Sequence, residues 1–396
     1  MFANLSTLLV SVLFYQGRIL GVNADSSACE KSDQSECVAE GIDEDSSNQE
    51  RLDIGNWIMS EGGFVDPRQE IRSLFPDMPQ SPKGVFAKER IEKGDLILSV
   101  PWKLLIQANT NEQVEPETVL ENWFCGLVEN LAAEMKKGDD SAHAPYIRYL
   151  NGQTRGQILA DYSEEAQNLF QEIVNPVMPW FQLDIVPSDE GLVSSCGIQD
   201  DPIAVHASLL VEQRSEDDLM VPYYDMYNHR NGKWLNTWIN QVRGDRFDVT
   251  ARKTIEAGEE IYNSYNQCNK CPGKAQRFEM GTIHIFEAYG FVESFPQRWF
   301  FGDDLKFDID EQAGTDQLKV SWANMEDLPD ESDAEYLEDM IDHIKTMKKS
   351  YVIDDFSFIT KSEWDAISYF QDALLVALEN AYLSASDIGS GGNGYY

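Results

Sequence analysis

Apolar positions follow two rhythms along this chain. Short alternating runs between glycine turns fill the stretches near 84–101 and 219–265, and helix-spaced runs fill the rest. Val85 and Ala87 alternate into a strand, Ile91-Glu92-Lys93-Gly94 forms a turn, and Leu96-Ile97-Leu98 forms a second strand. Val119, Leu120, Trp123, Phe124, Leu127, Val128, Leu131 and Met135 then recur at helical spacing, and Lys136-Lys137-Gly138 closes that helix. A second helix is predicted from about Ser163 to Val174, stopped by Asn175-Pro176. Asp201-Pro202 opens a third, with proline at its first helical position, reaching Arg214.

From Leu219 the pattern returns to short strands and turns, in MVPYYDMYNH, in RFDVTARKTIEAGEEIYNSY and, after an insertion, in EAYGFVE. Beyond Pro296 the texture turns acidic and then helical. Ser362-Glu363-Trp364-Asp365 reads as a capping box with Asp in place of Glu. Trp364, Ile367, Phe370, Leu374, Leu378 and Tyr382 form one apolar stripe, and GSGGNGYY reads as a flexible tail.

Composition adds a charge constraint. The 396 residues carry 31 basic and 69 acidic side chains, a formal net charge of −38, with 42% apolar content typical of a folded protein. Such acidity argues against nucleic acid as a partner and suits a basic protein or peptide substrate. Much of it lies in two appendages: Asp25–Glu50 has nine acids against one Lys, and Gly302–Asp342 has fifteen acids against Lys306 and Lys319. The first reads as a disordered leader. The second is placed to steer a basic substrate.

Residues 1–24 read as a cleaved signal peptide, with an apolar run from Leu5 to Tyr15 and a small residue ending Val22-Asn23-Ala24, although no Lys or Arg precedes the run. The alternatives are an uncleaved anchor and a plastid address. The run falls short of the roughly 20 residues a membrane span needs, and the acidic leader does not suit a transit peptide. The expected location is the secretory pathway, in the ER lumen or outside the cell. The chain's six cysteines, Cys29, Cys37, Cys125, Cys196, Cys268 and Cys271, are an even count that suits an oxidising lumen without making a disulfide framework. Cys29 and Cys37 either close a small loop or stay unpaired. Cys268-x-x-Cys271 lacks a second pair, so it reads as a local disulfide or two free thiols rather than zinc ligands. No metal site is expected.

One ordered series of motifs carries the chemistry. It comprises Gly84-Val85-Phe86-Ala87 with Ile91…Lys93-Gly94-Asp95; Arg214; Val221-Pro222…Asp225-Met226-Tyr227-Asn228-His229; Ile255…Ala257-Gly258-Glu259-Glu260-Ile261…Ser264-Tyr265; and Tyr289-Gly290-Phe291-Val292. The series resembles the SET-domain protein methyltransferases, in the branch of the Rubisco large-subunit lysine methyltransferase and the actin-histidine methyltransferase. The resemblance covers about Gly84–Val292. It implies an α+β fold: short β-sheets with a knot-like crossing, interrupted by a helical insert and followed by a mainly α-helical C-terminal domain. The implied boundaries are a signal peptide at 1–24, the leader at 25–50, the SET domain at 51–295 with its insert at about 102–218, a substrate-binding-like region at 296–388, and a tail at 389–396.

The resemblance also implies S-adenosyl-L-methionine as cofactor and assigns roles. Tyr265 matches the catalytic channel tyrosine. Tyr289 and Phe291 match aromatics of the channel and the cofactor side. Asn228 and His229 match the pair that binds the cofactor's amino-acid end. Gly84 matches the first cofactor loop, where many members have Gly-x-Gly and this chain has Pro82-Lys83-Gly84. Arg214 matches an arginine that meets the cofactor carboxylate, although Ser215-Glu216-Asp217-Asp218 departs from the usual aromatic-containing continuation. Read as residues alone, the aromatics are also ordinary core, His229 a structural hydrogen-bonding group, Asp225 a brace of the same turn, Asn231-Gly232 a turn, and Glu259-Glu260 the start of a strand.

The leading expectation is a methyltransferase acting on a protein lysine. The alternatives are histidine methylation on the same fold and a non-catalytic SET-fold binding protein of the secretory lumen. An acidic ion-binding protein ranks last, since the acids lack EF-hand spacing.

Overall fold

The structure, a computed structural model, describes residues 44–75, 82–108, 119–181, 196–266, 280–301, 305–315, 317–323, 328–351 and 357–389. The signal segment, the leader up to residue 43, both small cysteine motifs and the tail from residue 390 lie outside them. Helix α1 (Glu44–Ser60) begins inside the expected disordered leader and corrects its end. Ile54 and Ile58, one turn apart and fully buried, dock the helix on the core.

Short strands come next. Strand β1 (Phe64–Val65) pairs antiparallel with β4 (Leu96–Pro101), while β2 (Gln69–Ser73) pairs with β3 (Lys83–Ala87) and sets Gly84 opposite Arg72. After β5 (Ile106–Gln107) the insert supplies helices α2 (Val119–Lys137), α3 (Ala144–Asn151), α4 (Glu164–Val174) and α5 (Pro202–Arg214). The expected signals shape three of them. Gly138 follows α2 at φ +55°, Ser163 accepts the Ala166 N–H, and Asp201 accepts the N–H groups of Ile203 and Ala204 ahead of Pro202.

Strands β6 (Ser215–Glu216) and β7 (Leu219–Met220) join β5 in the order β5-β7-β6. Then come β8 (Asn228–His229), the hairpin β9 (Thr237–Val242) and β10 (Arg246–Ala251), and β11 (Tyr262–Asn263). The hairpin completes a sheet in the order β1-β4-β10-β9, and β11 returns to lie parallel to β8. The EAYGFVE segment was expected among strands and turns. It instead ends a helix, α6 (Thr282–Tyr289), which buries Ile283 and Phe286 one turn apart. Gly290 terminates it at φ +73°, and a Cβ there would meet the Gln157 carbonyl oxygen at 1.7 Å.

The C-terminal region opens with an antiparallel meander, β12 (Gln297–Phe301), β13 (Leu305–Glu311) and β14 (Leu318–Trp322), before helices α7 (Glu331–Ser350) and α8 (Lys361–Gly389). A fully buried Arg298–Asp308 ion pair, Nε to Oδ1 2.6 Å, joins opposite residues of β12 and β13. The capping box of α8 sits two residues before its expected place. Glu363 Oε2 accepts the Thr360 N–H at 2.7 Å, and Thr360 Oγ1 accepts the Glu363 N–H at 3.3 Å. Asp365 is engaged by Lys361 instead. Glu363 Oε1 also accepts the Ser163 N–H at 2.6 Å, so one carboxylate caps α8 and binds the start of α4.

Two apolar cores result. The first holds α1, the sheets up to β10, α2, α3 and α5. The second holds α4, α6 and the C-terminal strands and helices, so the insert is divided between them. Among the described residues no helix is long and apolar enough to cross a membrane.

A disulfide between Cys125 and Cys196, Cα atoms 5.3 Å apart, ties α2 to the chain just before α5 across 71 residues of sequence. The sequence reading paired neither cysteine. Replacing both with serine should lower the unfolding free energy by about 2–4 kcal/mol, read as a shifted urea midpoint of the oxidised protein.

Candidate active site

The parallel pair β8–β11 organises the site, with Asn228 opposite Tyr262 and His229 opposite Asn263. Successive side chains of a strand face opposite ways, so the Asn-His pair serves two different neighbourhoods. On one side Asn228 Nδ2 donates to the Lys83 carbonyl at 3.1 Å and to Glu260 Oε1 at 2.7 Å. Gly84 lies directly against them: a Cβ there would fall 2.2 Å from Glu260 Oε1 and 2.9 Å from Asn228 Nδ2. Burial pushes the Glu260 carboxyl above its usual range, against the pull of hydrogen bonds from Tyr262 and Asn228.

On the other side His229 is locked at both ring nitrogens. Nδ1 accepts the Tyr265 backbone N–H at 2.9 Å, which places the ring proton on Nε2, and Nε2 donates to Glu293 Oε2 at 2.6 Å. Glu293 is 1% exposed. It also accepts from Asn231 Nδ2 at 2.7 Å and from the Thr282 hydroxyl at 2.8 Å. A buried carboxylate thus gathers three neutral donors from two parts of the chain.

His229 thereby fixes the backbone of Tyr265, while the Tyr265 hydroxyl donates to the Tyr227 carbonyl at 2.8 Å. Its ring lies 4.6 Å from that of Tyr289, and Tyr289 lies 6.2 Å from Phe291. Burial raises the pKa of Tyr265 and Tyr289, so both hydroxyls stay neutral at physiological pH.

Arg214, at the end of α5, is held from several sides. Its guanidinium donates to the Tyr149 hydroxyl at 2.9 Å, to Gln153 Oε1 at 2.7 Å and to Asp225 Oδ2 at 3.3 Å. Burial opposes its charge, but Tyr149 and Asp225 outweigh that and keep it protonated. Tyr146 donates to the same Asp225 oxygen at 3.1 Å. Two buried atoms of this cluster have no partner, the donor Arg214 Nε and the acceptor Asp225 Oδ1. Arg214, Glu216, Tyr224, Asp225, Asn263, Tyr265 and Tyr289 line a small, partly open cleft. Arg214, Tyr265 and Tyr289 therefore meet in one cavity. Gly84 and Asn228 sit together beside Glu260, and His229 and Phe291 stand behind the aromatic wall.

Residues 83–266 match the family model described as SET domain. This segment is a SET domain. Among solved structures the chain is similar to Rubisco LSMT bound to sinefungin and monomethyllysine, at 15% identity over 88% of this chain and 94% of that chain with a TM-score of 0.49. It is similar also to Rubisco LSMT bound to AdoMet, at 15% identity over 85% and 92% with a TM-score of 0.48, and to the SET domain of LSMT bound to lysine and AdoHcy, at 14% identity over 87% and 93% with a TM-score of 0.45. No curated protein matches the chain in sequence.

Three carboxylates near the site escaped the sequence reading. Glu260 was placed at the start of a strand, and the two members of Glu259-Glu260 diverge. Glu259 stays in the turn and accepts the Glu256 N–H at 2.9 Å, while Glu260 turns in against Asn228. Glu293 stands beyond the recognised Tyr289…Val292 motif, and nothing local marks it. Glu216 was visible only as part of a departure from the family's pattern. Its carboxyl is pushed up to about 7 by burial, with repulsion from Asp217 adding to the shift.

A raised carboxyl pKa means that the fold disfavours the charged form. The contribution of Glu216 to stability is therefore intact below its ordinary value near 4.5 and is lost as pH climbs through about 7. Glu216→Gln should raise the melting temperature at pH 8 and leave it nearly unchanged at pH 5, read by scanning calorimetry at both values. Glu293→Ala, which strands His229, Asn231 and Thr282 in the interior, should cost about 3 kcal/mol or more, read by chemical denaturation.

Proposed function

We propose that this protein is an S-adenosylmethionine-dependent methyltransferase that acts on a lysine side chain of a protein substrate. The observation that carries the reading is Tyr265. Within the SET segment it is held at its backbone by His229 and at its hydroxyl by Tyr227, and its ring packs against Tyr289 on the lining of a cleft that also reaches Arg214.

The residues fit the cofactor. Its amino-acid end is a zwitterion. The unpaired Arg214 Nε offers a donor to its carboxylate, and the Glu260 carboxylate beside Asn228 and the bare Gly84 offers a counter-charge to its ammonium. When bound, S-adenosylmethionine supplies a sulfonium methyl for in-line transfer.

The chain's own task is to orient a nitrogen and to keep water away. A free lysine amine has a pKa of about 10.4. A wall of Tyr265 and Tyr289 favours its neutral, nucleophilic form by desolvation, and accommodates the methylated product through cation–π attraction. The Tyr265 hydroxyl, its proton committed to the Tyr227 carbonyl, keeps a lone pair to accept from the incoming nitrogen. It acts by position, since it stays protonated.

A lumenal or secreted location accords with the reading of residues 1–24 and with the Cys125–Cys196 bridge, a bond that persists in oxidising compartments. Amino-terminal sequencing of the protein recovered from a secreting host should begin near Asp25.

Tyr265→Phe should reduce methyl transfer about 10²-fold with S-adenosylhomocysteine affinity nearly unchanged, whereas Asn228→Ala should weaken that affinity itself. Calorimetric titration and mass spectrometry of methyl-lysine in a mixed peptide pool read the two effects. Full activity of Tyr265→Phe, or methyl groups found on histidine alone, would refute the assignment.

A further inference from the structure

Charge balance in the cleft leaves one carboxylate unanswered. Arg214 is compensated by Asp225, its ion-pair partner at 3.3 Å. Glu216, on the same lining, makes no ion pair among the described residues. Its Oε2 accepts from the Tyr224 hydroxyl at 3.2 Å, and Asn263 Nδ2 in turn donates to that hydroxyl. The relay Asn263→Tyr224→Glu216 fixes the carboxyl group in the cleft wall by neutral donors alone. A half-buried acid held this way costs desolvation energy that no ion pair among the described residues offsets.

We propose that Glu216 is a specificity-determining residue of the cleft, whose carboxylate receives the nitrogen of the substrate side chain as a cation on entry, before the amine loses its proton against the aromatic wall, and so selects charged over apolar side chains. The inference rests on the methyltransferase reading and deepens it. An aromatic wall alone accepts any slender apolar chain, whereas a carboxylate at the same cleft admits an ammonium at a net charge of zero. The groups facing Glu216 are Asp217 beside it, Arg214 at the end of α5, Tyr224 and Asp225 on the turn before β8, Asn263 and Tyr265 at β11, and Tyr289 at the end of α6. Of these, Asp217 and Glu216 repel, Arg214 and Asp225 cancel, and the tyrosines are neutral. Because burial and Asp217 hold the Glu216 carboxyl near 7, its charge grows between pH 6 and 8 while a lysine side chain remains cationic.

The test uses the oxidised full chain saturated with S-adenosylhomocysteine. Two probes are titrated by NMR, N-acetyl-lysine methylamide and its uncharged counterpart N-acetyl-norleucine methylamide, at pH 6, 7 and 8. The wild type should prefer the lysine probe, and the preference should rise with pH. Glu216→Gln should reduce the preference about tenfold at pH 8 and flatten its pH dependence. Glu216→Asp keeps the charge and should keep the rise; it carries the comparison should the Gln variant fail to fold. An unchanged preference in Glu216→Gln, or a wild-type preference that is flat with pH, overturns the inference. Failure of S-adenosylhomocysteine to raise the wild-type melting temperature overturns the methyltransferase reading and this inference with it. Cofactor binding without any lysine preference overturns this inference alone.

Discussion

The site depends on a single neutral histidine. His229 takes the Tyr265 backbone N–H on one nitrogen and gives its proton to Glu293 with the other. Protonating the ring at Nδ1 would set two donors face to face, and losing the ring would release Tyr265 from the strand pair that places it. Glu293 in turn holds Asn231 and Thr282, which brings α6 and its terminal Tyr289 to the same point. The two-residue strands β8 and β11 contribute little hydrogen bonding of their own. Side-chain bonds across their ends supply the rigidity that longer strands would otherwise give.

The distribution of charge separates two uses of acidity. Over half of the overall excess of acids lies in Asp25–Glu50 and in Gly302–Asp342. The carboxylates inside are few and individually placed. Asp225 answers Arg214, Glu293 gathers neutral donors, Glu260 lies against Asn228 and Gly84, and Glu216 stands in the cleft wall. The surface charge acts at long range and weakens with salt, whereas each interior carboxylate acts within hydrogen-bond distance.

Much of this fold was legible in the sequence because its signals are local. The limits of α2, α4 and α5 follow from Gly138, Ser163 and Asp201-Pro202, and the hairpin texture around Gly84 and Gly94 marked the first strands. The meander was hidden because its alternation, Leu305, Phe307 and Ile309 against Lys306 and Asp310, sits in a stretch dominated by acids. Helix α6 was hidden because only two of its turns exist and Gly290 resembles a strand bend. At the site, the motif residues Tyr265, Asn228, His229 and Gly84 stood out by order and spacing. Glu293 acts through His229, 64 residues away, and no short window contains both; Glu216 meets Tyr224 only eight residues on, but through a turn that no helix or strand period marks. The Cys125–Cys196 bridge is likewise a contact of the folded insert.

The division of the molecule into two cores shapes the cleft. Arg214, Glu216 and Tyr224 belong to elements seated in the first core, whereas Tyr289 ends a helix whose Ile283 and Phe286 are seated in the second. The opening is therefore walled from both cores, which Glu293 ties together through His229, Asn231 and Thr282. Gly290 lets the two cores approach at this point, since any side chain there would strike the Gln157 carbonyl.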